Sequence, residues 1–307
     1  MSEQKPIINL RAYQQSVFRH QAGILAQIWR RQSGKSYYLG VTGLDWMMER
    51  ICDTFYVSAA VRLGVENIRK EAAIWADCFA ALQRLGGRNV ESNALDDKGA
   101  LLDMDAVADL FEAQKLETRF RHGYAANQVS RSIVVAPNPD TAVGWTGNVI
   151  MDEVGRIPEF RDVWEAMEPI VSANPEFRVR MATTPPPDDS HYSYEMLAPD
   201  PAEKFAVNRA GNFYTSAMGL LVHRVDAWDG YEAGVPLYDL KSREGLTPEQ
   251  HRDRSIDKTA WDRNYGVKFI SGGSAALSLM SLMNAQAAGA ERGLVGVNIT
   301  EALDDAA

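Results

Sequence analysis

At 307 residues the chain can hold one large domain or two modest ones with a proper core, and 46% hydrophobic against 24% charged residues excludes a disordered protein. No apolar run approaches the roughly 18 residues needed to span a bilayer, so no membrane partner is expected. A net charge of −9 excludes a surface coated with nonspecific nucleic-acid contacts, but leaves room for basic residues that are local or line a channel. The N-terminus, MSEQKPIINLRAYQQ, lacks the charged-then-apolar pattern of a signal peptide. Cys52 and Cys78 offer neither metal spacing nor a disulfide framework, as in a reducing cytosol. The histidines (His20, His122, His191, His223, His251) stand singly and form no ligand pair.

In chain order, Leu10 to Phe18 reads as the start of an amphipathic helix carrying Gln14. The Gln14 amide both donates and accepts, as an adenine edge requires, although on this segment alone a solvated helix glutamine is the favoured reading. An apolar run with Ile24, Leu25, Ile28 and Trp29 then meets Gly34-Lys35-Ser36, and the helix-compatible SYYLGVTGLDWMMER follows at once. Strand, tight loop and helix in that order form the context of a phosphate-binding loop, in which N–H groups at the helix start face an anion. Lys35 is placed to reach β- and γ-phosphates and Ser36 to offer its hydroxyl to Mg²⁺. The full G-x-x-x-x-G-K-[ST] motif asks for glycine at position 29, where Trp29 stands, and a bare GKS at a helix start also arises by chance.

Residues 53–60 read as a strand. Residues 61–85 read as a helix with Val61, Val65, Ile68, Ala72, Trp75 and Phe79 near one face, and Gly86 to Gly99 as a polar loop. A further helix over about 100–115 precedes two strands in TRFRHG and SRSIVVAP, and PNPDTAVGWTG has turn chemistry throughout. Asn148 to Glu153 is a buried-strand pattern ending in two carboxylates, expected to lie beside the loop's strand in a parallel sheet. There Asp152 would hold Mg²⁺ and Glu153 would orient the attacking water, which points to hydrolysis rather than transfer to a small acceptor. A helix in RDVWEAMEPIVSA and a strand over 177–182 follow, ending at Thr183-Thr184 before three prolines, where the two hydroxyls can sense a γ-phosphate or its water. The alternation predicts an α/β fold, a P-loop NTPase of RecA/ASCE type. It has a central, mostly parallel sheet flanked by helices and a small C-terminal lid or linker subdomain. The expected divisions are 1–210 for the core, 211–270 for its C-terminal part or lid, and 271–307 for a linker or, as the family resemblance given next implies, the truncated start of a nuclease region.

These segments together resemble the large terminase subunits that package DNA in tailed bacteriophages. That family's phosphate loop reads small-Arg-Gln-x-Gly-Lys-[Ser/Thr], and Arg31-Gln32-Ser33-Gly34-Lys35-Ser36 matches it, with Arg30 where a small residue is usual. Tyr13-Gln14 matches the adenine motif, Asp152-Glu153 the hydrolytic pair, and Thr183-Thr184-Pro185 the ATPase-coupling motif. Asn264-Tyr265-Gly266-Val267-Lys268-Phe269 matches the family's Glu-Tyr-x-x-x-Phe except for the lost acid. The resemblance covers about residues 10–270.

It implies a packaging-motor ATPase that binds ATP and Mg²⁺ through Gln14, Arg31, Gln32, Ser33, Gly34, Lys35, Ser36, Asp152, Thr183 and Thr184. The metal would rest on Ser36 and Asp152, with Arg31, Lys35 and Glu153 as the catalytic groups. Arg119 or Arg121 would be candidates for an arginine acting across a subunit interface. The implied partners are double-stranded DNA, a portal protein, a small terminase subunit and further copies in a ring. The implied location is the cytoplasm of an infected bacterium rather than the mature virion. No nuclease activity is expected from this chain. After Phe269 the remaining acids are Glu291, Glu301, Asp304 and Asp305, and Asn298 stands where the family's nuclease would want an aspartate. A nucleotide-binding structural subunit and a helicase-like ATPase are the alternatives.

Overall fold

The computed structural model describes residues 8–59, 116–121, 129–135, 137, 146–187, 189–270, 285–286 and 288–289. The helices expected over 61–85 and 100–115, the loop between them, most of the turn tract before Asn148 and nearly all of the tail lie outside the described residues.

Eight strands form one sheet: β1 (Ile24–Trp29), β2 (Asp53–Ser58), β3 (Leu116–Arg121), β4 (Val129–Val135), β5 (Asn148–Asp152), β6 (Val179–Thr183), β7 (Asn212–Thr215) and β8 (Leu221–Val225). Their spatial order is β3-β4-β2-β5-β6-β1-β8-β7. Every neighbouring pair is parallel except the two edges, β3 on β4 and β7 on β8. The parallel strands are buried on both faces, which explains why their sequences read as continuous apolar runs rather than alternations. Arg119 and Arg121 belong to the edge strand β3, the strand farthest from β1 on that side of the sheet.

The order corrects one expectation. β5 does not lie beside the loop's strand, because β6 is inserted between them and pairs with both. The C-terminal ends of β1, β6 and β5 are therefore consecutive, and a helix start on β1 needs to reach past only one intervening strand, about 9.6 Å, to the end of β5. The division expected at residue 210 falls just before β7, yet β7 and β8 complete the main sheet. Among the described residues, those after Val225 add no strand to this sheet and pack around a smaller cluster of their own.

Helices cover both faces. On one, α1 (Ala12–Val17) and α2 (Lys35–Glu49) place Tyr13, Val17, Tyr38, Leu39 and Trp46 against Leu25, Trp29, Ile150 and Ala182. On the other, α3 (Phe160–Ser172) buries Phe160, Val163, Trp164, Met167 and Ile170, a helical stripe, against Ala26, Ile28, Val149, Met151 and Met181. A short α4 (Tyr192–Leu197) packs beside α3. After β8 come α5 (Ala227–Glu232), the hairpin β9 (Leu237–Tyr238) and β10 (Gly245–Leu246), α6 (Pro248–Arg254) and α7 (Lys258–Asn264). These gather around Ala227, Leu237 and Trp261, and the chain then returns to the main core at Val267. Phe269 meets Tyr194 edge-on at 5.3 Å.

Trp29, which occupies the motif's glycine position, is the fully buried last residue of β1. Its indole Nε1 donates to Nδ1 of the buried His223 on β8 at 2.9 Å, which leaves the His223 proton on Nε2, facing the Ala210 carbonyl at 2.9 Å. Gly211, at φ +77°, gives this ring its room, since a Cβ there would come within 2.4 Å of Nε2. Burial pushes the His223 pKa down to about 4. The unfolded chain therefore takes up this proton first as pH falls. The stability conferred by the neutral imidazole is complete above about pH 6.5 and is lost at about 1.4 kcal/mol per unit down to about pH 4. Chemical denaturation of His223→Gln, which cannot titrate, is expected to give a shallower stability decline than wild type across that interval. Parallel curves would show that His223 does not titrate on unfolding.

Candidate active site

Three strand ends meet the start of α2. Between Trp29 and Lys35 the backbone takes left-handed conformations at Gln32 (φ 58°) and Gly34 (φ 79°), a turn that makes successive N–H groups converge into an anion-binding nest at the N-terminus of a 15-residue helix. Glycine at position 34 is required twice over: by its φ, and because a Cβ would meet Gln14 Nε2 at 3.0 Å.

The loop is held from below. Tyr13 donates its hydroxyl to the Ser33 carbonyl at 2.6 Å, and Gln14 Nε2 donates to the Gly34 carbonyl at 3.2 Å. Gln14 Oε1 meanwhile accepts the Arg11 N–H at 2.9 Å, so both ends of this amide brace the loop and its own helix start. Ser33 is buried, and its hydroxyl donates to the Arg30 carbonyl at 2.8 Å, which leaves only its backbone N–H for a ligand. Arg31 is exposed, and its backbone N–H donates to the Asn264 carbonyl at 2.8 Å.

Lys35 is buried, with Nζ donating to the carbonyls of Trp29 (3.3 Å) and Arg30 (3.4 Å) and lying 3.6 Å from Glu153 Oε1. Burial lowers its pKa, and the carboxylates of Glu153 and Asp152 oppose that shift. Ser36 Oγ donates to Asp152 Oδ2 at 2.7 Å. Glu153 itself sits at φ 55°, a left-handed conformation uncommon outside glycine and asparagine, and it turns the chain into the 3-10 turn Val154–Arg156. Thr183 Oγ1 accepts the Gly155 N–H at 3.0 Å and donates to the Thr184 carbonyl at 2.7 Å, tying the end of β6 to the turn behind Glu153. Both threonines are buried.

A cavity of about 380 Å³ opens here, lined by Arg31, Gln32, Lys35, Glu153, Arg156 and Tyr265. Three cations and one carboxylate suit a polyanion that brings its own counter-cation. Arg156 was not singled out from the sequence. Its one signal is its place three residues after Glu153, the spacing of a single 3-10 turn. Tyr265 also lines the cavity, although the sequence marked it only within the Asn264–Phe269 stretch that resembles Glu-Tyr-x-x-x-Phe. The structure thus brings Arg31, Gln32, Gly34, Lys35, Ser36, Asp152 and Glu153 to one place, with Thr183 immediately behind, whereas Gln14 and Ser33 serve the loop from within.

The Ser36–Asp152 pair answers the question of metal fit. Two oxygen donors 2.7 Å apart, one a buried carboxylate, beside a phosphate nest are the protein's usual share of an Mg²⁺ site, whose other positions belong to water and phosphate.

No protein-family profile and no curated protein sequence matches the chain. Among solved structures, the large terminase ATPase domain of Thermus phage P74-26 superposes with a TM-score of 0.54 at 19% identity, covering 84% of this chain and 93% of that one. A point mutant of the same domain superposes similarly, with a TM-score of 0.53 at 18% identity. The large terminase of another thermophilic bacteriophage, in complex with ADP, gives 0.47 at 11% identity over 81% of this chain and 48% of that one. The chain thus shares its fold with the large terminase ATPase domain of Thermus phage P74-26.

Proposed function

We propose that this chain hydrolyses ATP with Mg²⁺ as the motor of a viral DNA-packaging terminase, coupling hydrolysis to translocation of double-stranded DNA into a procapsid. The observation that carries the ATPase reading is that Lys35 and Glu153 line one cavity together with Arg31 and Arg156, while the residues next to them in sequence, Ser36 and Asp152, are joined at 2.7 Å. The terminase reading is supported by the likeness in fold and by the motif series on residues 13–14, 31–36, 152–153 and 183–185.

The loop N–H groups and the N-terminus of α2 receive the phosphates. Lys35 exchanges its two carbonyl partners and Glu153 for β- and γ-phosphate oxygens, and this exchange frees the Glu153 carboxylate. Glu153, carried at the cavity by its left-handed backbone, then orients a water in line with the γ-phosphate and polarises it. Ser36 and Asp152 would hold Mg²⁺, which would supply positive charge against the negative charge developing on the phosphates. Arg31 and Arg156, both lining the cavity, stabilise charge on the transferring group. Thr183, bonded to Gly155, makes the position of β6 depend on the turn that carries Glu153 and Arg156. It is thus the route by which hydrolysis moves the rest of the molecule.

The working assembly is proposed to be a homo-oligomeric ring on a portal protein, supplied with DNA by a small terminase subunit. In that arrangement Arg119 or Arg121, in the edge strand β3, is proposed as the arginine that acts across the subunit interface. The proposed site of action is the host cytoplasm; among the described residues no helix is long and apolar enough to cross a membrane.

Steady-state ATPase assays give the direct test. Lys35→Ala is expected to lose both nucleotide binding and turnover, and Glu153→Gln to keep binding while turnover falls roughly a hundredfold. Equal turnover in Glu153→Gln and wild type would remove Glu153 from the mechanism.

Thr183→Val leaves the buried Gly155 N–H without its acceptor. It is expected to cost about 1–3 kcal/mol in denaturant unfolding and to lower kcat more than it raises KM. Unchanged stability and kcat would contradict the coupling role.

Adding portal protein or linear DNA should raise the rate per subunit, since an arginine from a neighbour is worth about 10³-fold or more. A rate already fast and indifferent to concentration, DNA and portal would contradict the ring.

A further inference from the structure

Arg30 stands where the related phosphate loops carry a small residue, and it is among the largest fully buried side chains of the molecule. Its guanidinium makes one hydrogen bond, from Nη2 to the Val235 carbonyl at 3.0 Å, while Nε and Nη1 have no partner among the described residues. Burying a guanidinium with two idle donors is destabilising, and an apolar side chain of similar volume would serve packing better. The side chain is accommodated at the expense of another position. Gly230, on α5, lies so close that a Cβ there would stand 2.6 Å from Arg30 Nε.

The backbone of the same residue belongs to the loop. The Arg30 N–H donates to the Val225 carbonyl at the end of β8, and the Arg30 carbonyl accepts both the Ser33 hydroxyl and Lys35 Nζ. One residue therefore touches the segment after β8 at Val225, Gly230 and Val235 and holds two loop side chains through its carbonyl.

We propose that Arg30 is a positioning residue that locks the phosphate loop to the Val225–Val235 segment, with Gly230 as its socket, so that displacement of the smaller C-terminal unit is transmitted to Lys35. The proposal rests on the ATPase reading for its functional consequence, but the lock itself is testable without turnover. Because the guanidinium and the missing Cβ compete for one space, substitutions at 30 and 230 must be non-additive.

The experiment is a double-mutant cycle of Arg30→Met, Gly230→Ala and the pair, read by denaturant unfolding, by equilibrium binding of a fluorescent ATP analogue and by ATPase kinetics. Gly230→Ala is expected to be clearly destabilising alone and less so in the Arg30→Met background, whose shorter, flexible thioether can bend away from the added methyl. Arg30→Met, and Gly230→Ala on its own, are expected to weaken analogue binding and raise KM for ATP roughly tenfold with a smaller change in kcat. Additive stability effects would overturn the socket. Destabilisation with unchanged binding and KM would reduce Arg30 to a packing residue and overturn its positioning role. Should Arg30→Met fail to fold, Gly230→Ala carries the binding and KM readout by itself. A wild type that binds the analogue but does not hydrolyse ATP would defeat the ATPase reading and leave the lock intact.

Discussion

The hydrogen bond from Ser36 to Asp152 is the constraint on which the site depends. It joins residues 116 positions apart in sequence, one in the first turn of the helix that follows β1 and one at the end of β5, across the end of β6. A hydrogen bond to a charged group contributes about 1.5–3 kcal/mol, so the pair ranks among the stronger local ties between the two halves of the site. Its more important effect is geometric. With the start of α2 fixed over β6, Lys35 falls beside Glu153, and the turn after Glu153 falls beside Thr183. Each of those contacts would be lost if the strand order were different.

Much of this was legible in the sequence because the relevant signals are local. Gly34-Lys35-Ser36 after an apolar run requires a loop opening a helix, and Asn148 to Glu153 requires a buried strand with its acids at the end. Both follow from residue types and their periodicity. The neighbour of β1 was not legible, because pairing in a parallel sheet is decided by long crossovers whose path leaves no mark on the strands themselves. Arg156 was missed for a related reason: an arginine in a loop has no pattern, and only the 3-10 turn after Glu153 brings it to the cavity. Gln14 was assigned to a ligand on its chemistry, and the same chemistry lets it brace Gly34 and Arg11. Amide groups satisfy whichever partner the fold brings within reach, and that partner cannot be read from the residue.

The loop is supported from two directions that differ in kind. From α1, Tyr13 and Gln14 supply short, neutral hydrogen bonds to loop carbonyls, a rigid floor that leaves the N–H groups free for an anion. From beyond β8 the support is a buried cation and a backbone pairing with Val225 and Asn264, in a unit with its own small core around Trp261. The first support belongs to the main sheet and moves with it. The second belongs to a part of the chain with few apolar residues of its own, where local opening costs least.

The sheet order also has a consequence for how the protein is made. Ala26 in β1 pairs with Val222 in β8, and Leu25 pairs with Arg180 in β6. On a ribosome adding about 5–20 residues per second, β1 emerges on the order of ten seconds or more before β6 exists and waits still longer for β8. During that interval the apolar strand that will carry the phosphate loop has neither of its neighbours, while β2 and β4, parallel partners closer in sequence, can already pair. The nascent chain therefore assembles from the far edge inward. Its phosphate loop is among the last parts to become ordered, and β1 is the segment most in need of a chaperone's cover.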